Sequence, residues 1–445
     1  MQSDILLHAT LTEKCRSNYI PATAVELAQL KSSVQSTRSA LETCTDDDTR
    51  SRTQLSKILQ LQESLLSPIR TLPPEILSEI FSHFIKPLNF AFSKVQASVF
   101  TLTWVCCWWR NHAISQTKLW SSYIIGGLWD SNPNVDWLLK ECISRSGTHG
   151  PLNVAIMARD KSFDTELWAP LLEHTMRWRS LRLITVDLSA LHYFLHVLEN
   201  SQEDHSEGED LKTTTTTTTH FPRLENLTLA MPIPANIDQL PHIPLSNLFS
   251  ACPSIHALRI PYLRSSDILN FTHLTSLYID ECYQGGLFAT LLAECPLLRT
   301  CTVGRFITAS HLTQPSSSAP IPIPRNKTVT HTNLTTLHLT WFDKNCTVGF
   351  FQHVMLPKLT SLLVSINGYQ IFKTVNRPDP LVELKTMIIE SKCTLRKVHL
   401  GKSIPRNAVI SFFEGLDIVW GGAGNGNVVV NGAVYERNTS ARTVA

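Results

Sequence analysis

The stretch that decides the fold of the N-terminal part of the chain reads Leu72-Pro73-Pro74-Glu75-Ile76-Leu77-Ser78-Glu79-Ile80-Phe81. Proline is tolerated in the first turn of a helix, and a carboxylate suits the positive end of the helix dipole, so the two prolines and Glu75 predict a helix start. Apolar residues then recur at helical spacing, at positions 76, 77, 80, 81 and 84. The result is an apolar stripe that is wide for so short a helix.

A second helix is predicted over residues 102–114, and it contains Val105-Cys106 and Trp109-Arg110; Leu119-Trp120-Ser121 follows it. In order and spacing these motifs resemble the F-box, in the form common in fungal F-box proteins, and the preceding Ser67-Pro68-Ile69-Arg70 matches that form too. The sequence departs from the family pattern in two ways. The stretch between the first helix and Val105 is long, and Trp108 doubles the aromatic residue at Trp109.

The resemblance implies a small helical unit that binds the Skp-type adaptor of a cullin–RING ubiquitin ligase. It also implies which side chains face the adaptor or its supporting core: Leu72, Pro73, Ile76, Leu77, Ile80, Phe81, Val105, Trp109 and Trp120. Burial of such aliphatic and aromatic side chains holds a partner without any catalytic group. The alternative is that the stripe is only the core of a small helical domain.

The chain divides by pattern into four parts. Residues 1–66 are assigned to amphipathic N-terminal helices, because apolar residues recur at three- and four-residue steps on both sides of a break at Thr45-Asp46-Asp47-Asp48-Thr49. Residues 67–125 form the F-box-like domain, residues 126–420 an irregular repeat domain, and residues 421–445 a flexible tail or hairpin. The expected fold class is α/β, with helices and a small all-α unit followed by a repeat array.

The repeat domain is predicted from a phrase in which an apolar residue is followed by another three positions later and a third two beyond that. The sets are Leu181/Ile184/Val186, Leu224/Leu227/Leu229, Ile255/Leu258/Ile260, Leu274/Leu277/Ile279, Leu298/Cys301/Val303, Leu334/Leu337/Leu339, Leu359/Leu362/Val364 and Leu395/Val398/Leu400. Proline stands two residues before four of them, at Pro222, Pro253, Pro296 and Pro357. A helix, a turn and a short strand form the leucine-rich-repeat unit, so the pattern predicts an irregular solenoid of that kind.

Two insertions interrupt this domain, at about residues 200–220 and 309–332. The first holds seven consecutive threonines and the second is rich in Ser, Thr and Pro, so both are expected to be solvated loops. The residues between the apolar positions of each strand line a second candidate surface for a target protein. Their charges are mixed, and no single residue among them stands out as a site.

Composition excludes several classes of protein. Lys+Arg 39 against Asp+Glu 37 leaves a net charge of +2, which gives no overall basic field for nucleic acid or anionic membrane. No apolar run approaches the ~18 residues of a membrane span, and the first residues lack the pattern of a signal peptide. Eleven scattered cysteines fit a reducing compartment. A cytoplasmic or nuclear location is therefore expected.

No constellation of residues points to catalysis, a metal or a cofactor. His192 and His196 have a shared-ligand spacing but lack the Glu of a zinc-protease helix. Cys282, Cys295 and Cys301 contain no Cys-x-x-Cys pair. The glycines at 422, 424 and 426 precede a strand rather than a helix, which argues against a phosphate-binding loop. The protein is predicted not to be an enzyme and to need no cofactor.

Two functional hypotheses stay open at this stage. In the first, the chain is the substrate-recognition subunit of a Skp–cullin–F-box type ubiquitin ligase, with the adaptor on the F-box-like unit and an unknown target protein on the repeats. In the second, it is a non-catalytic repeat scaffold or sensor whose F-box-like segment only caps the first hydrophobic face of the solenoid.

Overall fold

The computed structural model describes residues 2–44, 48–90, 95–126, 133–158, 170–185, 221–231, 252–264, 272–283, 287–307, 328–342, 351, 353–365, 380–401, 404–414, 416, 428–430 and 433–435. The chain forms two compact units. The first contains residues 1–154 and 165–173, and the second contains residues 155–164 and 174–445. The predicted boundary at residue 125 therefore lies inside the first unit.

The first unit begins with three helices, α1 (Gln2–Arg16), α2 (Ala24–Thr43) and α3 (Thr49–Leu65). The side chain of Thr23 accepts a hydrogen bond from the backbone of Glu26 and the Glu26 carboxylate accepts one in return, which fixes the start of α2. The apolar sides of the helices meet in a small core around Leu11, Ile58 and Leu65. The helices on either side of the break at residues 45–49 are confirmed, whereas α1 was not predicted.

The same unit continues with α4 (Pro74–Phe84), α5 (Ser98–Thr103), α6 (Cys107–Ser115) and α7 (Pro133–Arg145). Single 3₁₀ turns occur at Pro68–Thr71 and Thr117–Trp120. Strands β1 (Leu88–Phe90) and β2 (Ser122–Gly126) pair in parallel, and β3 (Leu152–Ala158) starts beside β2, where the Asn153 amide donates to the Ser121 carbonyl. The short strand expected at Tyr123-Ile124-Ile125 is present as β2, whereas the expectation of an otherwise all-α unit over residues 67–125 is wrong, because β1 lies within it.

The second unit is dominated by strands. They are β4 (Trp178–Thr185), β5 (Asn226–Ala230), β6 (Ala257–Leu263), β7 (Ser276–Tyr283), β8 (Thr300–Ile307), β9 (Val329–Thr330), β10 (Thr336–Phe342), β11 (Val354–Met355), β12 (Ser361–Val364), β13 (Lys397–Leu400), β14 (Val428–Val430) and β15 (Ala433–Tyr435). Its helices include α8 (Leu287–Glu294), α9 (Pro380–Ser391) and α10 (Arg406–Phe413). The expected fold class, helices followed by a mixed α/β part, is confirmed at this level, with a large parallel sheet as its central element.

Neighbours in the sheet follow the order of the chain. From β4 the parallel ladder runs through β5, β6, β7, β8, β10, β12, β13 and β14. Strands β9 and β11 form a separate parallel pair. Strand β15 closes the ladder as the antiparallel partner of β14, so the hairpin expected in the tail is present.

The apolar phrase of the sequence marks the buried face of the sheet. In each set from Leu224 onward all three residues are buried, and the prolines at 222, 253, 296 and 357 lie in the turn before the strand. The first set is wrong in register. Leu181 pairs with Leu227 and Leu183 with Leu229, so buried Trp178 occupies the first position and Ile184 lies off the pattern. A large aromatic residue in place of leucine concealed this first repeat of the phrase.

Part of the second predicted insertion belongs to the ordered structure. Residues 328–332 contain β9, and buried His331 accepts hydrogen bonds through Nδ1 from the backbone amides of Asn333 and Leu334. Residues 309–327, the insertion at 200–220, the His192/His196 pair and the glycines at 422–426 lie outside the described residues.

Gly304 in β8 lies against the neighbouring backbone of β7. A Cβ atom at this position would overlap the carbonyl oxygen of Asp280 and approach its Cα at 3.3 Å. Because backbone cannot move aside without disturbing the ladder, we expect Gly304→Ala to lower the free energy of unfolding by about 1–3 kcal/mol. Urea unfolding measures this, with Ser276→Ala on β7 as the control that changes it by less than about 0.5 kcal/mol. Equal stability of the two variants would contradict the prediction.

Candidate protein-binding surface

Helix α4 has one face fixed to the rest of its unit. Leu77 and Phe81 are completely buried, and the Phe81 ring meets the Trp109 ring edge to face at a centroid distance of 4.9 Å. Ser78 Oγ lies 2.9 Å from His112 Nε2 and 2.6 Å from Gln116 Nε2, and it donates to the Pro74 carbonyl. These contacts hold α4 against α6.

The side of α4 next to these buried residues is apolar and exposed. Ile76, Ile80 and Phe84 follow one another at four-residue steps, so they lie in a row along the helix. Their exposed fractions are 50%, 40% and 51%. The three side chains are called the α4 ridge from here on. An isoleucine or phenylalanine left half open to water is unremarkable singly, whereas three in a row form a patch of the kind that binds proteins.

The structure divides the nine residues implied by the resemblance into two groups. Pro73, Ile76, Ile80 and Val105 are exposed, and Leu72 and Trp109 are half-buried. Leu77, Phe81 and Trp120 are fully buried and belong to the supporting core. Sequence reasoning left two exposed apolar residues out of the site, Phe84 of the ridge and Trp104, which is 75% exposed. The four-residue step from Ile80 was the signal that pointed to Phe84.

Trp120 anchors the core beneath this surface. Its indole Nε1 donates to the Ala113 carbonyl at 2.8 Å, and the backbone carbonyl of Trp120 accepts a hydrogen bond from the Tyr123 hydroxyl. Its ring lies 6.0 Å from the Phe100 ring, and the Arg145 guanidinium stands 4.8 Å from its centroid. Trp120 therefore fixes α5, α6 and α7 relative to one another, and a partner on the surface would not touch it.

Arg70 joins the N-terminal helices to the segment that leads into α4. The side chain is buried, and its nitrogens donate to the Ser64 carbonyl at 2.7 Å, to Ser64 Oγ at 3.1 Å and to the Cys15 carbonyl at 3.2 Å. Asn18, in the left-handed conformation at φ 56°, accepts from the same guanidinium through Oδ1 at 3.2 Å. These helices pack on one another and on Arg70, and they leave the α4 ridge uncovered.

The thiols of the described residues are free, and most are buried. Burial raises the pKa of Cys142 and of Cys252 to about 12 and the pKa of Cys393 to about 11, and it raises the pKa of Cys295 and Cys301 further still. Within the described ranges, no group of three or more His, Cys, Asp or Glu side chains could hold a metal ion.

This distribution predicts which cysteines react. At pH 7.5 we expect iodoacetamide to alkylate exposed Cys107 in the native chain while Cys252, Cys295 and Cys301 stay unmodified, because the thiolate is the nucleophile and burial suppresses it. Peptide mass spectrometry after brief labelling measures the difference, and labelling in 6 M guanidinium is the control in which all of them react. Rapid native labelling of Cys301 would contradict the structure.

No protein-family model matches the chain, and no curated protein matches it. In the part of the chain that the structure describes, no helix combines the length and the apolar character needed to cross a bilayer.

Proposed function

We propose that this chain is the substrate-recognition subunit of a Skp–cullin–F-box type ubiquitin ligase. The observation that carries the proposal is the α4 ridge, an exposed row of apolar side chains on a helix whose adjacent side is buried against α6. A helix held in this way presents its outer face without rearrangement. The order of motifs from Leu72 to Trp120 supplies the nature of the partner, the Skp-type adaptor.

In this proposal the second unit holds the target protein. Neighbouring strands of its parallel ladder follow the chain order, and β5 to β8, β10, β12 and β13 repeat the same apolar phrase, which supports interpreting it as an irregular leucine-rich-repeat domain. The chain makes and breaks no bond. It raises the effective concentration of the target near a ubiquitin-conjugating enzyme that is bound elsewhere on the ligase.

The test is a direct binding measurement with the full-length chain. We expect a stoichiometric complex with a Skp-type adaptor in size-exclusion chromatography, and a tagged chain expressed in cells should co-purify with the adaptor and a cullin. A monodisperse chain that forms no such complex at micromolar concentration would overturn the proposal.

One observation favours the alternative, a scaffold whose helical unit only caps the repeats. The first unit contains strands of its own, as a capping repeat does: β1 and β2 pair in parallel, and the Asn153 amide of β3 donates to the Ser121 carbonyl. Deleting residues 67–125 separates the hypotheses. If the truncated chain aggregates and the intact chain recovers no adaptor, the cap is the correct interpretation; if the intact chain binds the adaptor, it is not.

A further inference from the structure

The strand face opposite the apolar core carries a continuous row of polar side chains, four hydroxyls and one lysine. The ladder register places Ser276, Thr300, Thr336, Ser361 and Lys397 side by side on β7, β8, β10, β12 and β13. Their neighbours along each strand are buried on the other side of the sheet, because side chains alternate between its faces. Within the described part of the chain, the four hydroxyls of this row make no hydrogen bond, so they are free to donate to a ligand.

The residues just before these strands stiffen one edge of the row. Thr335 Oγ1 donates to the Arg299 carbonyl at 3.1 Å, and Thr360 Oγ1 donates to the Thr335 carbonyl at 3.2 Å. The backbone amides continue the same ladder as far as Arg396, which donates to the Thr360 carbonyl. The backbone of Arg299 and of Arg396 is therefore held in place along this edge. Their side chains are exposed and take no part in these hydrogen bonds.

The charges of this face are unbalanced. The acids in strands β4 to β13 and in the residues directly before them are Glu225, Asp280 and Glu281, and each is in an ion pair, with Arg179, Arg259 and Arg305 respectively. The cations that remain are Arg182, Arg299, Arg396 and Lys397, whose side chains form no ion pair with described residues.

His338 lies on the same face beside this row. Burial and, secondarily, the neighbouring His399 lower the pKa of His338, which disfavours its charged imidazolium form. The unpaired positive charges named above are those of arginine and lysine side chains.

The spacing of the cations tells one anionic ligand from another. Arg299 precedes β8 and Lys397 lies on β13, three strand intervals apart, which is about 14 Å at roughly 4.8 Å per interval. A single phosphate group requires cations that converge on one point, and these do not. An extended peptide advances about 3.3–3.6 Å per residue, so carboxylates about four residues apart match the two positions.

We propose that this strand face binds an extended acidic segment of a protein, with Asp or Glu side chains about four residues apart reaching Arg299 at one end and Arg396 and Lys397 at the other. The free hydroxyls of Thr300, Thr336 and Ser361 donate to the peptide between them. That this segment is the recognition element of a ubiquitylation target rests on the proposed function. The binding itself is independent of the adaptor.

Fluorescence polarisation with the full-length chain tests the inference. The probe is a labelled 12-residue Gly/Ser peptide with three Glu at four-residue spacing, compared with the same peptide carrying Gln and with one carrying the three Glu in succession. We expect the spaced Glu peptide to bind most tightly, and its affinity to fall as salt rises from 50 to 300 mM. Equal binding of the spaced Glu and Gln peptides would overturn the proposal.

The variant Arg299→Glu/Lys397→Glu should bind the spaced Glu peptide at least about tenfold more weakly than the original chain, because two attractive charges become repulsive. Lys31→Glu/Lys57→Glu, on exposed positions of α2 and α3, makes the same change in net charge and should leave the affinity unchanged. An equal loss in both variants would show a general effect of net charge and reject the site.

Two further probes distinguish other ligands and the proposed function. Tighter binding of a Gly/Ser peptide with one phosphoserine, or of a 12-nucleotide single strand, would reject the acidic segment in favour of that ligand. Adaptor binding is measured in parallel on the same variants. If the chain binds the adaptor but not the spaced Glu peptide, the proposed function stands and this inference is rejected. If it binds the peptide but not the adaptor, this inference stands and the proposed function is rejected.

Discussion

The variant Ile76→Asp/Ile80→Asp is expected to bind the Skp-type adaptor at least about 100-fold more weakly while its fold stays intact. Burying an aliphatic side chain at an interface contributes about 1.5–3 kcal/mol, so losing two weakens the complex at least about 100-fold. The new carboxylates would also have to leave water for an apolar contact, which adds a further penalty. Because the ridge is half open to solvent in the free chain, the same substitutions should change the free energy of unfolding little.

Isothermal titration calorimetry with purified adaptor measures the loss, and circular dichroism with thermal melting checks the fold. The matched control is Val25→Asp/Val382→Asp, which also places two carboxylates at exposed aliphatic positions, at 66% and 58% exposure. That variant should bind the adaptor like the original chain. If the ridge variant binds as tightly as the control, the α4 ridge is not the adaptor site.

Trp120→Ala is expected to produce the largest loss of stability. The indole is completely buried, and its removal leaves a cavity between α5, α6 and α7 and an Ala113 carbonyl without its donor. Substitutions of buried tryptophan by alanine lower the free energy of unfolding by about 3–5 kcal/mol. Pulse proteolysis in urea, read by the disappearance of the band of the intact chain, gives the unfolding midpoint.

Trp104→Ala provides the control of equal chemistry, since Trp104 is 75% exposed. Its midpoint should stay within the range of ordinary surface substitutions, about 0.5 kcal/mol. At a temperature where the Trp120→Ala variant remains folded, that variant should still bind the adaptor, because the Trp120 side chain supports the surface without being part of it. Equal midpoints for the two tryptophan variants would show that the core is not where the structure places it.

Periodicity predicted the elements whose pattern is local. Helices α2 and α3 were predicted from apolar steps of three and four residues, and the strands from the phrase that begins at Leu224. Helix α1 was not predicted because its apolar residues form no clear stripe. It is held by contacts with α3, which is distant in the sequence.

The candidate surface could be predicted only in part. Helical spacing placed Ile76, Leu77, Ile80 and Phe81 on one broad stripe, but it could not tell which half of the stripe meets α6 and which half faces solvent. That division depends on residues more than 25 positions away, such as Trp109 and His112, whose contacts with α4 no local pattern reveals. Trp120 was assigned to the predicted site for the same reason, since a sequence motif shows the identity and order of residues but not whether a side chain is buried.

The charge of the strand face was hidden from the sequence for a related reason. Its residues read as mixed because both acids and bases occur among them, and the ion pairs that cancel the acids join distant positions, as in Arg179 with Glu225. Only the register of the sheet shows which cations are left over. The acids of the face are therefore paired, and the unpaired charges Arg182, Arg299, Arg396 and Lys397 are all positive.

The buried guanidinium of Arg70 limits how freely this protein can exchange its parts in evolution. Its acceptors come from the end of α1 and the end of α3, so the cation would be stranded in an apolar environment if either neighbour were replaced. A recombination event that joined the helical unit to a different leading segment would have to bring new carbonyl oxygens to the same place. We therefore expect α1, α3 and the segment that leads into α4 to be inherited together.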